Sequence, residues 1–217
     1  MRVFTLSIMY SLLVLSMLYG EVTIGADVVS RYVWRGSDFG NAAAVQPGIE
    51  TAVGPVTVGA WGSYSLSPGF LSSDTTYDAS GSECDLYASF SAGPIGITIT
   101  DYFFPAGVEG DGLFELSGDK ATHVFELSAG ADLGPVSLLA AANVSGDFDD
   151  ADESRNSAYL ELTYSAFTLG LGNGVYSTDG EFAPVSIGVS ASRDNFSASY
   201  IINPDQETSF LVFGVNF

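Results

Sequence analysis

The residues able to do chemistry in this chain are mostly carboxylates: Asp and Glu number 26 against 6 Lys and Arg, for a net charge of −20. Many occupy alternate polar positions in otherwise apolar segments. Asp27, Arg31, Arg35, Glu50, Glu83, Asp85, Glu126, Asp132 and Glu161 are the candidates. Charged side chains set around a pore select ions by sign, and a like-signed cleft concentrates counter-ions. The acidic excess therefore predicts a preference for cations. The competing arrangement has Arg31 and Arg35 paired with Glu50 or another acid as internal struts, leaving little to conduct.

Catalysis is less well supplied. A Ser-His-Asp site needs a base beside its nucleophile, and the one histidine, His123, falls in an apolar register near a strand rim. Carboxylate pairs hydrolyse glycosides, but no pair stands out among so many acids. Cys84 is alone, which removes an intramolecular disulfide, Cys-x-x-Cys chemistry and a zinc site, and it reads as a small wall residue. Asp147, Asp149, Asp150, Asp152 and Glu153 offer oxygen ligands for calcium without the EF-hand spacing or its glycine. A solvated loop is the plainer reading. The expectation is no enzyme, no metal site and no cofactor. Clustered Lys and Arg are missing too, so nucleic acid is not an expected partner.

The elements that carry these residues are strands. Val56, Val58, Ala60, Gly62 and Tyr64 alternate with Thr57, Gly59, Trp61 and Ser63; Phe125, Leu127 and Ala129 alternate with Glu126, Ser128 and Gly130. The same period recurs around 84–92, 158–166 and 185–192. Successive strand side chains point to opposite faces, so one-sided burial gives this pattern. Short connections at Gly54-Pro55, Gly93-Pro94, Gly134-Pro135, Ser165-Ala166 and 193–195 alternate with mostly longer polar ones at 36–42, 67–82, 105–120, 147–156, 177–183 and 203–207. Gly and Asn tolerate positive φ, and Pro presets a turn. Together these connections join twelve strands. The roughly 40-residue hairpin repeat also suits a propeller, but propeller blades carry four strands each and do not alternate short with long connections. On this reading Asp27, Arg31 and Arg35 face the lumen from the first strand, with Tyr32 and Trp34 facing lipid. Asp101 falls on a lipid-facing position of the fifth, which implies a bulge or a strand end there.

Residues 1–20 stand apart. Met1-Arg2, an uncharged run over 3–18 and small or polar residues at 19–21 describe a secretory signal peptide. The alternative is a retained anchor, for which the apolar run is short. Residues 21–217 then form one domain. No later stretch approaches the roughly 20 apolar residues of a membrane helix, so this domain is either soluble or crosses a membrane as a closed barrel. Aromatics at 13% and apolar residues at 47% argue against disorder.

Alternation fits a soluble sandwich, apolar face inward, and a membrane barrel, apolar face outward. Small interior candidates, aromatics gathered near strand ends and an even strand count favour the barrel. The predicted fold is all-β: a closed antiparallel transmembrane β-barrel of about 12 strands, with short periplasmic turns and longer extracellular loops.

Ser30-Arg31-Tyr32-Val33-Trp34-Arg35-Gly36, extended through Asn41, together with Gln46-Pro47 and the segment 59–65, resembles the TorF-like porins. The likeness is strongest over 22–66 and returns at 203–217. It implies a bacterial outer-membrane location and passive diffusion of small polar or cationic solutes. The terminal Phe217 on an alternating strand looks like the signal read by the outer-membrane insertion machinery, which with outer-membrane lipid completes the expected partners. A non-conducting structural or surface-interaction barrel is the alternative.

Overall fold

The computed structural model describes residues 20–66, 82–104, 123–146 and 156–217. Residues 1–19 of the expected signal segment, the third long loop and the acidic loop 147–153 lie outside the described residues. The chain forms β1 (Val22–Val29), β2 (Val33–Trp34), β3 (Ser37–Asp38), β4 (Ala44–Val53), β5 (Val56–Ser65), β6 (Glu83–Ala92), β7 (Ile95–Phe103), β8 (His123–Asp132), β9 (Val136–Gly146), β10 (Ala158–Tyr164), β11 (Phe167–Gly172), β12 (Ala183–Arg193), β13 (Phe196–Asn203) and β14 (Thr208–Asn216). One 3-10 turn, Gly174–Tyr176, precedes β12, and no α-helix occurs among the described residues.

Twelve of these strands close into one antiparallel ring. β1 pairs with β4 through Val22↔Thr51 to Val29↔Ala44, each later strand pairs with the next, and β14 returns to β1 at Asp27↔Asn216 and Val29↔Gly214. The five short connections all lie at one end, and each contains a residue of positive φ: Gly54, Gly93, Gly134, Ser165 and Asp194. In the Gly-Pro turns glycine takes the left-handed position and proline fixes the next residue, a combination that closes a tight hairpin.

The two faces of the ring differ in composition, and this assigns them. Ile24, Leu86, Ile97, Leu127, Leu160, Phe167, Ile187, Leu211 and Phe213 are exposed on the outward face. The inward face carries Ser, Thr, Gly and the acids. Its burial rises from the turn end toward the loop end: Ser91 is exposed, Ser89 and Tyr87 are partly buried, and Asp85 and Glu83 are buried. The same gradient runs from Asp132 to Glu126 on β8 and from Ser192 to Ser186 on β12. The interior is open at the short turns and increasingly filled toward the other end.

Candidate functional site

The filling comes from residues 30–43, between β1 and β4. The alternation of β1 suggests that it continues through Arg35, but the strand ends at Val29 and the chain turns inward. β2 and β3 form a small hairpin with Val33↔Asp38 and Trp34↔Ser37 paired. Its two loop residues, Arg35 and Gly36, have φ of 51° and 86°, the double positive φ that a two-residue type I′ connection requires. Gly36 also sits against β12, where a Cβ would overlap the Val185 carbonyl oxygen. Its own carbonyl accepts a 3.2 Å bond from Asn203 Nδ2. Glycine is thus required here both by backbone angle and by space.

This hairpin lies inside the ring, because its contacts come from strands on every side. Tyr32 donates to Glu83 on β6 at 2.8 Å and packs on Trp61 of β5 with centroids 5.6 Å apart. Trp34 meets Tyr102 of β7 at 5.4 Å and Tyr176 at 5.8 Å. Arg31 pairs with Asp38 at 2.5 Å and lies 5.7 Å over Phe210 of β14. Gln206 Nε2 donates to Ser37 Oγ at 3.2 Å. A ring of twelve strands about 4.8 Å apart and tilted by about 40° has a radius on the order of 12 Å. That is room for a folded-back β-ribbon and little else.

Arg35 is the centre of the plug. Its Nη1 and Nη2 donate to Glu126 at 2.5 and 2.9 Å, and Nη1 also donates to the Tyr176 hydroxyl at 2.6 Å. The guanidinium stacks over Trp34, Tyr159 and Tyr176 at 4.2, 4.6 and 5.1 Å. Both charged side chains are buried, 8% and 3% exposed. Burial is the largest single influence and works against the Arg35 charge, but the Glu126 hydrogen bond and the electrostatic attraction of Tyr176, Glu126 and Tyr102 together outweigh it and hold the guanidinium protonated. Burial also pushes the Tyr176 phenol up to about 12, which keeps it a donor. Tyr102 and Tyr176 hydroxyls add bonds to Glu126 at 3.2 and 3.3 Å. A planar guanidinium bonded twice to a carboxylate and stacked on aromatic rings is a rigid strut.

The remaining candidates share the inward face without converging on one point. Asp27 lies opposite Gln46 and Asn216, two residues before the end of β1. Glu50 accepts from Tyr87 at 2.7 Å, Glu161 from Tyr159 at 2.7 Å, and Asp132 from Ser137 at 2.7 Å. Glu83 and Asp85, two apart on the inward face of β6, are both buried. Hydroxyl donors, not cations, meet the Glu50, Asp132 and Glu161 oxygens. Among the described residues only Glu126 of this set meets a guanidinium.

Several sequence expectations need correction. Arg31 and Arg35 do not lie on β1; both belong to the inner hairpin or its approach. Tyr32 and Trp34 do not face lipid but pack inside, as do Tyr176 and Phe210. The turn at Arg35-Gly36 reverses the chain, and these rings are needed to fill the bore around the guanidinium. Asp101 causes no bulge, since β7 pairs regularly with β6 and β8 through it. It lies two residues from the end of β7, and His123 Nδ1 meets its Oδ1 at 2.8 Å on the same outward face. The irregularities of the ring fall instead at Phe125/Glu126 and Gly170/Leu171. Sequence reasoning missed the tyrosines that serve the carboxylates and the role of Gly36. The available signals were strand length, since 22–35 exceeds the roughly 9–11 residues that span a bilayer, and the Arg-Gly pair as a turn.

Among the described residues no cluster of three His, Cys, Asp or Glu side chains is placed to hold a metal ion. No curated protein matches the chain. Residues 19–203 match the Gcw_chp family, described as a bacterial protein of unknown function. Because the match covers most of the sequence, the chain belongs to the Gcw_chp family.

Proposed function

We propose that this protein is an outer-membrane porin of narrow bore, through which small polar or cationic solutes diffuse passively. The observation that carries the reading is the ring itself: twelve strands closed without an edge, apolar outside, acidic and hydroxylic inside. Closed barrels are the β solution to an apolar membrane, where every backbone group needs an internal partner. The likeness of 30–41 and 59–65 to the TorF-like porins supports it. So does the last strand, whose Leu211, Phe213 and Phe217 are exposed outward, in keeping with recognition of Phe217 by the insertion machinery. In this reading the chain is a conduit and not an enzyme, and the hairpin carrying Arg35 is its constriction.

The second reading is a non-conducting barrel, and the hairpin favours it, because its contacts reach strands around the whole ring. Reversal potentials of the purified, refolded mature protein in a potassium chloride gradient separate the two. Discrete steps with a cationic reversal potential are expected. An anionic one would sink the proposed selectivity, and silence from a barrel with heat-modifiable gel migration would favour the non-conducting reading.

A further inference from the structure

We propose that the outward face of the barrel seats one zwitterionic phospholipid at the turn end, in a groove that crosses β12, β13, β14 and β1. The inference rests on the membrane-barrel reading above and not on conduction. On β12 and β13 the outward positions carry large side chains except at Ala191 and Ala198, which pair with each other. Val189 and Tyr200 form the outward pair on one side of this dip, and Arg193 and Phe196 the pair on the other. Phe213 lies opposite Ala198 on β14, and Val215 lies opposite Val28 on β1. Together these side chains bound a groove of about 510 Å³. Phe196, Phe213 and Val28 stand exposed along it. An apolar concavity in an already apolar face fits an acyl chain.

What stands at the end of the groove decides the occupant. Arg193 is the last residue of β12, and Asp194 follows in the turn with a φ of 55°. Their charged atoms are 3.9 Å apart and their side chains 93% and 84% exposed, too distant for a hydrogen bond and open to a third group. Asn195 ties this turn to β14: its Nδ2 donates to the Asn216 carbonyl at 3.0 Å, and the Asn216 amide donates to its carbonyl at 2.9 Å. A cation and an anion are thus held side by side where an acyl chain leaves the groove. A headgroup carrying a phosphate and an ammonium matches both, the phosphate on the guanidinium and the ammonium on the carboxylate. The other guanidinium groups among the described residues are committed to Asp38 and Glu126, which leaves Arg193 for an outside anion. The chain carries a net charge of −20, so a lipid without net charge approaches it more readily than an anionic one.

Native mass spectrometry of the refolded mature protein in detergent micelles tests this, with palmitoyl-oleoyl phosphatidylethanolamine and phosphatidylglycerol as the probes. We expect one phosphatidylethanolamine to be retained, at least fivefold more tightly than phosphatidylglycerol. A198F fills the dip and R193Q removes the phosphate contact, and each should weaken retention at least tenfold. A129F, on the outward face of β8, should leave it unchanged. D194N should bring the two lipids to equal retention. Heat-modifiable migration checks the folding of every variant; should A198F not fold, R193Q, which alters only an exposed side chain at the turn, is read alone. Retention unchanged by R193Q, or equal for the two lipids in the wild type, overturns the site and leaves only the lipid that coats any barrel. A chain that stays in solution without detergent and retains no lipid removes the membrane reading as well, whereas a folded barrel that holds both lipids alike removes this proposal alone.

Discussion

Replacing Arg35 with alanine removes the strut that fixes the hairpin, and the cost follows from what is left behind. Glu126 is 3% exposed, and without Arg35 its charge stays buried with only the Tyr102 and Tyr176 hydroxyls as donors. Breaking a buried pair by removing one partner costs about 3–5 kcal/mol. The two tyrosines place this case near the lower end, about 3 kcal/mol. The ring does not depend on the pair, so the cost falls on local opening of the hairpin. At about 1.4 kcal/mol per tenfold, protection of the hairpin amides should drop on the order of 100-fold. The Phe39 amide reports this directly, because it bonds the Tyr32 carbonyl at 2.8 Å across the hairpin. Hydrogen exchange in detergent micelles reads it, with β12–β13 amides as the unchanged reference. A double replacement, R35L/E126L, should recover most of the protection, since apolar isosteres often match a buried pair. Phe39 protection within threefold of wild type in R35A would refute the strut.

Three other outcomes are expected. G36A meets both the positive φ and the Val185 carbonyl, so the hairpin must shift, and the same Phe39 exchange should rise at least tenfold while the barrel still assembles. H123L leaves Asp101 without its imidazole partner in a largely buried position; it should lower the denaturant midpoint in lipid, whereas D101L/H123L should restore it, and equal midpoints for the two would contradict the pairing. Cys84 is exposed on the outward face, opposite Gly62 and Phe103. An apolar maleimide should label it in vesicles while a charged thiosulfonate should not, and rapid labelling by the charged reagent would place that face in water.

How much of this was legible from the sequence depends on what the alternation could carry. Segments such as Val56 to Tyr64 and Phe125 to Gly130 show period two because the outward face of the wall is apolar and the inward face polar, so strand number and facing follow locally. The Gly-Pro turns announce themselves because few residues accept their backbone angles. The hairpin was hidden for the opposite reason. Asp27, Arg31 and Arg35 keep the β1 alternation, and nothing in the local pattern says that the chain leaves the wall at Ser30. What decides it is non-local: Glu126, Tyr176, Val185 and Asn203, distant in sequence, form the seat. The tyrosine partners of Glu50, Glu83 and Glu161 were invisible for the same reason, since pairing across a ring depends on register. Asp101 and His123 look like errors one at a time and are explained only as a pair.

The central claim is that a hairpin held inside the ring sets the bore of a cation-preferring pore, and single-channel conductance of two proteins side by side tests it most directly. One is the wild-type mature chain; in the other a short Gly-Ser linker replaces residues 31–41. The account predicts small discrete steps for the first and several-fold larger steps for the second, both with a cationic reversal potential. Equal conductance in the two, or no current from either when both fold in lipid, would contradict it.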